Sequence, residues 1–330
     1  MKLSVVIPVY NEEESLSQLH DAIHAALDIL SDVDWDVIYV DDGSKDGSLQ
    51  VLEDITSADP EHTLTISFRR NFGQTAAIAA GIDHAHGDVI VLLDADLQND
   101  PADIPMLLDK IQEGYDVVSG WRVNRQDTFV SRKLPSRVAN WLISMVTGVH
   151  LHDYGCTLKA YRSEVLTDFR LYGEMHRFIP AYAHAVGARI TEVPVSHHSR
   201  RFGKTKYGLT RTLKVVLDLF TVKFLISYAN KPIYLFGGAG MVLITISAAV
   251  LLFLMVRRLW LGVGVLSSPL FIVSTMFMIM GFQSILMGLI AELLVRTYHE
   301  SQQKPTYSIR KVIDYRTDQP WEERQPLLEA

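Results

Sequence analysis

The sequence predicts an α/β fold with a doubly wound, mostly parallel sheet, followed by an amphipathic helix and two membrane-spanning helices. Short apolar runs alternate with helical stretches through roughly the first 120 residues, a pattern typical of parallel sheets with helices on both faces. Polar clusters follow several of these runs, at positions where such sheets bind ligands. Two long stretches without charge come later, after residue 231, and predict the membrane helices.

The soluble part begins with five strand candidates that are separated by four helical stretches. The strands are expected at Leu3–Pro8, Asp36–Asp41, Leu64–Phe68, Val89–Leu93 and Asp116–Ser119. The helices are expected at Glu12–Leu30, Gly47–Ala58, Gly73–Ala85 and Pro101–Glu113. The first apolar run is too short for a signal peptide. We therefore expect residues 1–208 to form one cytoplasmic domain.

The composition argues against several classes of function. The 330 residues carry a net charge of −7, so nothing indicates nucleic acid as a partner. The single cysteine, Cys156, excludes an internal disulfide and a CxxC metal or redox site. Five of the histidines in the second half of the soluble part have spacings that fit no zinc site. They are His152, His176, His184, His197 and His198.

Two uncharged stretches predict transmembrane helices. The first, residues 232–256, has 25 residues, which is enough to cross a hydrocarbon core about 30 Å thick. The second, Leu259–Ala291, is too long for one span and too short for two, and glycine, serine and proline near its start predict a turn. We therefore expect the second span at residues 270–292. Two buried core helices are the alternative, but such helices rarely run so long without charge.

The segments beside the two spans indicate their orientation. Basic residues on both flanks favour cytoplasmic ends, although Arg257 and Arg258 in the turn argue the other way. Residues 209–231 are expected to form an amphipathic helix at the lipid surface, with packing on the soluble domain as the alternative. Residues 293–330 are expected to form a cytoplasmic tail that is mobile beyond Asp314.

Small and polar residues in the second span indicate contact with another helix. Ser284 and Gly288 are small residues four positions apart, and Gln283 is polar in mid-span. Membrane helices associate through such residues. The pattern is compatible with a homo-oligomer.

Three polar clusters follow strands of the predicted sheet. They are Pro8–Glu12, Asp41–Ser44 and Asp94–Gln98. The carboxyl ends of parallel strands share one edge, so we expect these clusters to converge there. Converging carboxylates need a positive charge, and Asp-x-Asp with Gln98 offers the hard oxygen ligands that Mg²⁺ or Mn²⁺ prefers. Solvated loop caps are the alternative for each cluster taken singly.

Four segments resemble glycosyltransferase family 2, whose fold is of the GT-A type. They are Pro8–Glu12, Asp41–Ser44, Arg70–Gly73 and Asp94–Gln98. Within that family, the chain is similar to the polyprenyl-phosphate glycosyltransferases over about residues 3 to 210 and into the two spans. Asn124–Asp127 and Asp153–Cys156 most resemble the undecaprenyl-phosphate aminoarabinose (formamido) transferases.

The resemblance implies roles for individual residues. Those expected to bind the nucleotide-sugar are Pro8, Tyr10, Glu12, Asp41, Asp42, Asp94, Ala95, Asp96 and Arg122. Those expected to hold Mg²⁺ or Mn²⁺ are Asp94, Asp96 and Gln98. Those expected to meet the acceptor phosphate are Arg200, Thr205 and Lys206, where Thr205 replaces the serine of the family pattern.

Asp94, Asp96 and Asp153 are the expected catalytic residues. Asp153 matches the position of a base near the acceptor. A lipid phosphate is already ionised at neutral pH, however, so an orienting role or a loop-capping role for Asp153 stays open.

The resemblance implies inverting transfer of one sugar from a UDP- or GDP-linked donor to a polyprenyl phosphate, undecaprenyl or dolichyl, at a bacterial inner membrane. A processive polysaccharide synthase is one alternative, but the chain lacks the Gln-x-x-Arg-Trp signature of those enzymes. A non-catalytic sugar-nucleotide-binding scaffold is another, and the intact pair Asp94 and Asp96 argues against it.

Overall fold

The structure is a computed structural model that describes residues 1–123, 140, 143–145, 147–167, 171, 175–198, 232–266, 268–301 and 307–316. The chain divides into two compact units. The first comprises Met1–Val222 and Pro305–Ala330, and the second comprises Lys223–Lys304. The expected amphipathic helix at 209–231 lies outside the described residues.

The described part of the first unit includes eight strands and six α-helices with defined bounds. The strands are β1 (Lys2–Val9), β2 (Asp34–Asp41), β3 (Thr63–Phe68), β4 (Val89–Leu92), β5 (Val117–Trp121), β6 (Lys159–Arg162), β7 (Ile190–Pro194) and β8 (Ile309–Ile313). The helices are α1 (Leu16–Leu27), α2 (Ser48–Ala58), α3 (Gln74–Asp83), α4 (Ile104–Gln112), α5 (Ser163–Thr167) and α6 (Ile179–Ala185). The five strands and four helices expected from the sequence are all present, with boundaries shifted by a few residues.

The strands form one sheet in the order β7-β5-β6-β4-β1-β2-β3-β8. The central strands β4, β1, β2 and β3 are parallel to one another. Strand β6 is antiparallel to both β4 and β5, β7 runs parallel to β5, and β8 is antiparallel to β3. The expected α/β sheet is thus confirmed, with antiparallel pairings on both sides of its parallel centre.

The core forms because the strands are apolar on both faces and the helices are apolar on one. Residues 63–68 of β3 are buried throughout, as parallel strands covered by helices require. Helix α1 buries Leu16, Leu19 and Ile23, which recur at helical spacing. This helix begins four residues later than expected, because the chain first forms a turn in which the Ser15 amide donates to the Glu12 carbonyl (3.1 Å).

Strand β8 belongs to residues 293–330, which were expected to be only a tail. It pairs with β3, and the Tyr307 ring before it stacks on Phe68 with ring centroids 5.2 Å apart. The Tyr307 hydroxyl donates a hydrogen bond to Asp83 (2.8 Å). Because β3 precedes the two apolar helices in the chain and β8 follows them, the chain returns to its own sheet after those helices.

The second unit contains helices α7 (Pro232–Leu261) and α8 (Pro269–Ser301). Their stretches Leu235–Leu261 and Pro269–Ala291 have mean hydropathies of 2.6 and 2.0, so both are long and apolar enough to cross a membrane. Helix α7 continues past the expected end at residue 256, and the turn falls after Leu261 instead.

The two apolar helices pack closely against each other. A Cβ on Gly240 would lie 2.5 Å from the carbonyl oxygen of Gly281, so the backbones meet where neither residue has a side chain. The Ser284 hydroxyl donates a hydrogen bond to the carbonyl of Phe236 (2.8 Å). The predicted helix–helix contact of α8 therefore exists within the chain, whereas Gln283 is exposed and a homo-oligomer stays a prediction.

Candidate active site

A cavity of about 80 Å³ lies at the carboxyl end of β4. The three residues expected to hold a metal ion, Asp94, Asp96 and Gln98, line it. Arg122, which follows β5, lines it as well. The rule that places ligands at the carboxyl ends of parallel strands therefore located this cavity correctly.

Asp94 is fixed in the cavity wall by two hydrogen bonds. The Gln74 side-chain amide donates to Oδ1 (2.8 Å), and the Thr157 hydroxyl donates to Oδ2 (2.6 Å). Burial, and then the neighbouring charge of Asp96, raise the pKa of Asp94 to about 6. An ionised Asp94 is thus costly here unless a cation lies close to it.

Asp96 and Gln98 are held together by a tight turn. The intervening residue, Leu97, has φ of 58°, in the left-handed region that non-glycine residues rarely adopt. The backbone amide of Gln98 donates to Asp96 Oδ1 (3.2 Å). The strained turn brings both side chains to the wall that Asp94 also lines.

These three residues fit a divalent cation of the Mg²⁺ or Mn²⁺ type. They offer two carboxylates and one amide oxygen, which are the hard ligands that such ions take. The raised pKa of Asp94 supports the fit, because two adjacent carboxylates stay ionised together most easily beside a positive charge.

Arg122 and Asp153 form a buried, bidentate ion pair beside the cavity. Arg122 Nε donates to Asp153 Oδ2 (2.6 Å) and Nη2 donates to Oδ1 (2.9 Å). The Gly155 amide adds a third bond to the same carboxylate (3.1 Å). Asp153 raises the pKa of Arg122 despite the opposing effect of burial. An aspartate bound in this way accepts from a cation, so the geometry favours an orienting role for Asp153 over the role of a base.

Two further cavity residues, Lys159 and His176, were not expected from the sequence. The Lys159 ammonium donates to the carbonyls of Tyr154 (3.3 Å) and Cys156, and burial lowers its pKa. His176 Nδ1 lies 2.7 Å from Thr75 Oγ1, and burial lowers its pKa to about 3, so the ring is neutral. A lysine within an apolar strand was the available signal for Lys159, whereas His176 matched no motif.

Asp41 and Asp42 hold loops together at the neighbouring strand end. Asp41 Oδ1 accepts from the Ser44 amide and Oδ2 from the Ser67 hydroxyl, both at 3.0 Å. Asp42 accepts from the backbone amides of Phe72 (2.6 Å) and Gly73 (2.9 Å). Burial is the main cause that raises the pKa of Asp42. Both carboxylates thus order the turns that follow β2 and β3.

Several of the expected residues do not line the cavity. Within the described part of the chain these are Asp153, beside it, and the expected nucleotide-sugar-binding residues Pro8, Tyr10, Glu12, Asp41, Asp42 and Ala95. The role of the latter residues in nucleotide binding stays a prediction. The expected acceptor-phosphate residues Arg200, Thr205 and Lys206 fall outside the described residues.

Comparison with known proteins identifies relatives along nearly the whole chain. The family model described as "Glycosyl transferase family 2" matches residues 4–170. A dodecaprenyl-phosphate galacturonate synthase of Rhizobium johnstonii is 40% identical over 317 residues, covering 95% of this chain and 94% of that protein. An undecaprenyl-phosphate 4-deoxy-4-formamido-L-arabinose transferase of an Enterobacter species is 39% identical over 313 residues, covering 94% of each.

Solved structures share the fold of the soluble unit. The glucosyl-3-phosphoglycerate synthase of Mycobacterium tuberculosis, crystallised with Mn²⁺, uridine diphosphate and glucosyl-3-phosphoglycerate, superimposes with a TM-score of 0.50 at 18% identity. The match covers 68% of this chain and 79% of that one. At this identity the likeness establishes the fold, and the expected GT-A type is confirmed.

Proposed function

Because this chain belongs to glycosyl transferase family 2, we propose that it transfers one sugar from a nucleotide-sugar to the phosphate of a polyprenyl lipid at a membrane surface. The observation that carries the proposal is the cavity in which Asp94, Asp96 and Gln98 meet Arg122 at the end of β4. Two relatives at about 40% identity, which match almost the whole chain, are named for prenyl-phosphate acceptors. The two apolar helices suit an enzyme whose acceptor is a lipid.

The donor diphosphate is proposed to bind beside Asp94, Asp96 and Gln98, which are the residues that would hold Mg²⁺ or Mn²⁺. When bound, such an ion supplies Lewis-acid stabilisation to the departing nucleoside diphosphate. Gln74 and Thr157 keep Asp94 in place, and the Leu97 turn keeps Asp96 and Gln98 in place. Fixed oxygens of this kind need no rearrangement as charge develops.

The acceptor is proposed to attack as an ionised phosphate. Its oxygen forms a bond to the anomeric carbon while the bond from that carbon to the diphosphate oxygen breaks, and the electron pair leaves with the nucleoside diphosphate. No proton moves, so the step needs no base. A single displacement of this kind inverts the anomeric configuration.

Arg122 is the residue that we propose to meet one of the phosphates. Its guanidinium lies at the cavity wall and is oriented by the two hydrogen bonds that it donates to Asp153. Arginine presents a planar set of donors that suits phosphate oxygens. Asp153 then acts as a positioning residue, through Arg122. Arg200, Thr205 and Lys206 remain our candidates for the lipid phosphate.

We further propose that the sheet lies on the cytoplasmic side of a bacterial inner membrane, with both apolar helices crossing it. The pairing of β8 with β3 supports an even number of crossings, since both strands must lie on one side. Basic residues on both flanks of the helices favour the cytoplasmic side.

The test is a transfer assay with membranes that contain the full chain. These membranes are supplied with undecaprenyl phosphate, Mn²⁺ and a panel of labelled nucleotide-sugars, and the lipid is then extracted. The panel includes uridine and guanosine donors and donors of galacturonate and 4-deoxy-4-formamido-L-arabinose, the sugars named for the two relatives.

The expected product is a lipid-linked monosaccharide. It should disappear in Asp96→Asn and persist in Asp109→Asn, which changes an exposed aspartate on α4 in the same way. A labelled polymer would support a processive synthase instead. No transfer from any donor would support a scaffold, and full activity of Asp96→Asn under chelator would refute the metal role.

A further inference from the structure

A second group of potential metal ligands lies between α1 and the start of β3. His20 and His24 stand four positions apart on α1, so they project from the same face of the helix. Asp59 comes from the segment that joins α2 to β3. One ligand atom from each residue can be chosen so that all three lie within 4.8 Å of one another. We propose that these three residues bind one Zn²⁺ ion.

The distances are close to those of a tetrahedral zinc site. His24 Nε2 lies 3.1 Å from Asp59 Oδ2, and His20 Nε2 lies 3.8 Å from the same oxygen. Zinc bonds of about 2.0–2.1 Å at tetrahedral angles separate the ligand atoms by about 3.3 Å. Small rotations of the two rings therefore bring all three atoms onto one ion. Two imidazoles and one carboxylate favour zinc over the magnesium-type ions, which prefer oxygen.

The atoms that face away from the proposed ion are already held. His24 Nδ1 lies 3.1 Å from Asp28 Oδ2, and His20 Nδ1 lies 3.2 Å from the Tyr39 hydroxyl. Histidines that bind zinc through one nitrogen usually donate from the other to an oxygen in this way, which fixes the ring and the tautomer.

His24 gives the strongest single reason to place a cation here. Its two ring nitrogens each lie 3.1 Å from a carboxylate oxygen. A neutral imidazole carries only one N–H, so one of those contacts would bring two lone pairs together. A zinc ion between Nε2 and Asp59 satisfies both contacts with a neutral ring. A second proton on the ring is the competing explanation, and the experiment below distinguishes the two.

A water molecule would take the fourth coordination position of the ion. His62 is the remaining nearby imidazole, and its Nδ1 lies 2.9 Å from Asp59 Oδ1 while its ring stacks on Trp35 with centroids 4.3 Å apart. His62 therefore orients the carboxylate. The side chains of His20, His24 and Asp59 are 12%, 28% and 17% exposed, which leaves the site reachable from solvent.

The proposed ion joins segments that are far apart in the sequence. His24 and Asp59 are separated by 35 positions, and Asp59 lies before β3, at the edge opposite the carboxyl end that bears the active-site cavity. The ion thus fastens α1 to the α2–β3 connection. Its role is to stabilise the fold, independently of sugar transfer.

Zinc binding is tested on the full chain in detergent, with any affinity tag removed and excess Mg²⁺ present to occupy the oxygen-rich site. Metal content after dialysis, competition with a chromophoric chelator and the thermal midpoint with and without Zn²⁺ are measured. Co²⁺ is then substituted, because its visible absorption reports tetrahedral coordination.

We expect one zinc per chain, a tetrahedral Co²⁺ spectrum and a rise in the thermal midpoint with Zn²⁺. All three should be lost in Asp59→Asn and in His20→Gln, and kept in the control His184→Asn, which changes an exposed histidine on α6. Asp28→Asn should weaken zinc affinity roughly 10–100-fold. The proposal is overturned if the wild type binds zinc no more tightly than folded His20→Gln, or if the midpoint follows pH but not zinc.

Discussion

Replacing Asp94 by asparagine should stabilise the metal-free protein while abolishing sugar transfer. The pKa of Asp94 is raised from 3.8 to about 6, chiefly by burial. At about 1.4 kcal/mol per pH unit, the ionised carboxyl costs about 3 kcal/mol of folding free energy at neutral pH. Because Asp94 keeps part of its surface toward the cavity, we expect a gain of about 1–3 kcal/mol for Asp94→Asn. The amide keeps the bonds to Gln74 and Thr157, since the Thr157 hydroxyl can accept as well as donate.

The sign of the pH dependence provides the sharper test. Between pH 4 and 6 the folded protein binds more protons at Asp94 than the unfolded chain does, so wild-type stability falls as the pH rises through this window. The advantage of Asp94→Asn should therefore be absent near pH 4 and complete above about pH 7. The difference in unfolding free energy between the two proteins is measured by chemical unfolding in detergent with chelator, followed by far-UV circular dichroism.

Adding Mn²⁺ should raise the stability of the wild type and leave that of Asp94→Asn unchanged, because the carboxylate of Asp94 binds the ion more tightly than the amide of asparagine does. Asp109→Asn serves as the control and should behave as the wild type does. The reasoning would be refuted if Asp94→Asn were less stable than the wild type at pH 7. It would also be refuted if the gain in stability from Asp94→Asn were the same at pH 4 and pH 7.

Three further predictions concern the turn that follows β2 and the arginine at the cavity wall. In Asp42→Asn, the new side-chain N–H would face one of the two backbone N–H groups, of Phe72 and Gly73, that donate to Asp42. The free energy of unfolding should therefore fall by about 1–3 kcal/mol, which a lower thermal midpoint would show. Gly43→Ala should cost at least about 1–3 kcal/mol in the same assay, because φ is +66° there and the new Cβ would lie 2.5 Å from the Arg70 carbonyl carbon. Arg122→Gln leaves Asp153 buried without its cation and should cost about 3–5 kcal/mol. Adding Asp153→Asn should recover stability but not transfer; equal transfer in the double variant and the wild type would contradict the role of Arg122.

Local patterns in the sequence were sufficient to predict the central strands, the apolar helices and the pair Asp94 and Asp96. An apolar run, a helical period or an uncharged stretch acts over a few neighbouring residues, so its structural consequence is local. The edge of the sheet that carries the site followed from the parallel arrangement alone. Strands β6 and β7 were not predicted, because they lie beyond the regular alternation of strands and helices in the first 120 residues and their partners in the sheet are far away in the chain.

The contacts that complete the site were decided only by the tertiary structure. Thr157 is 63 positions from the carboxylate it fixes, and His176 is 101 positions from Thr75. Strand β8 pairs with β3 although both apolar helices lie between them in the sequence. Asp59, in the connection between α2 and β3, contacts His24 on α1. Such partners carry no local periodicity, because burial and charge select them only after the sheet has brought distant segments together. The sequence by itself thus determined the central strands, the apolar helices and the pair Asp94 and Asp96. Tertiary packing determined which residues hold that pair in place.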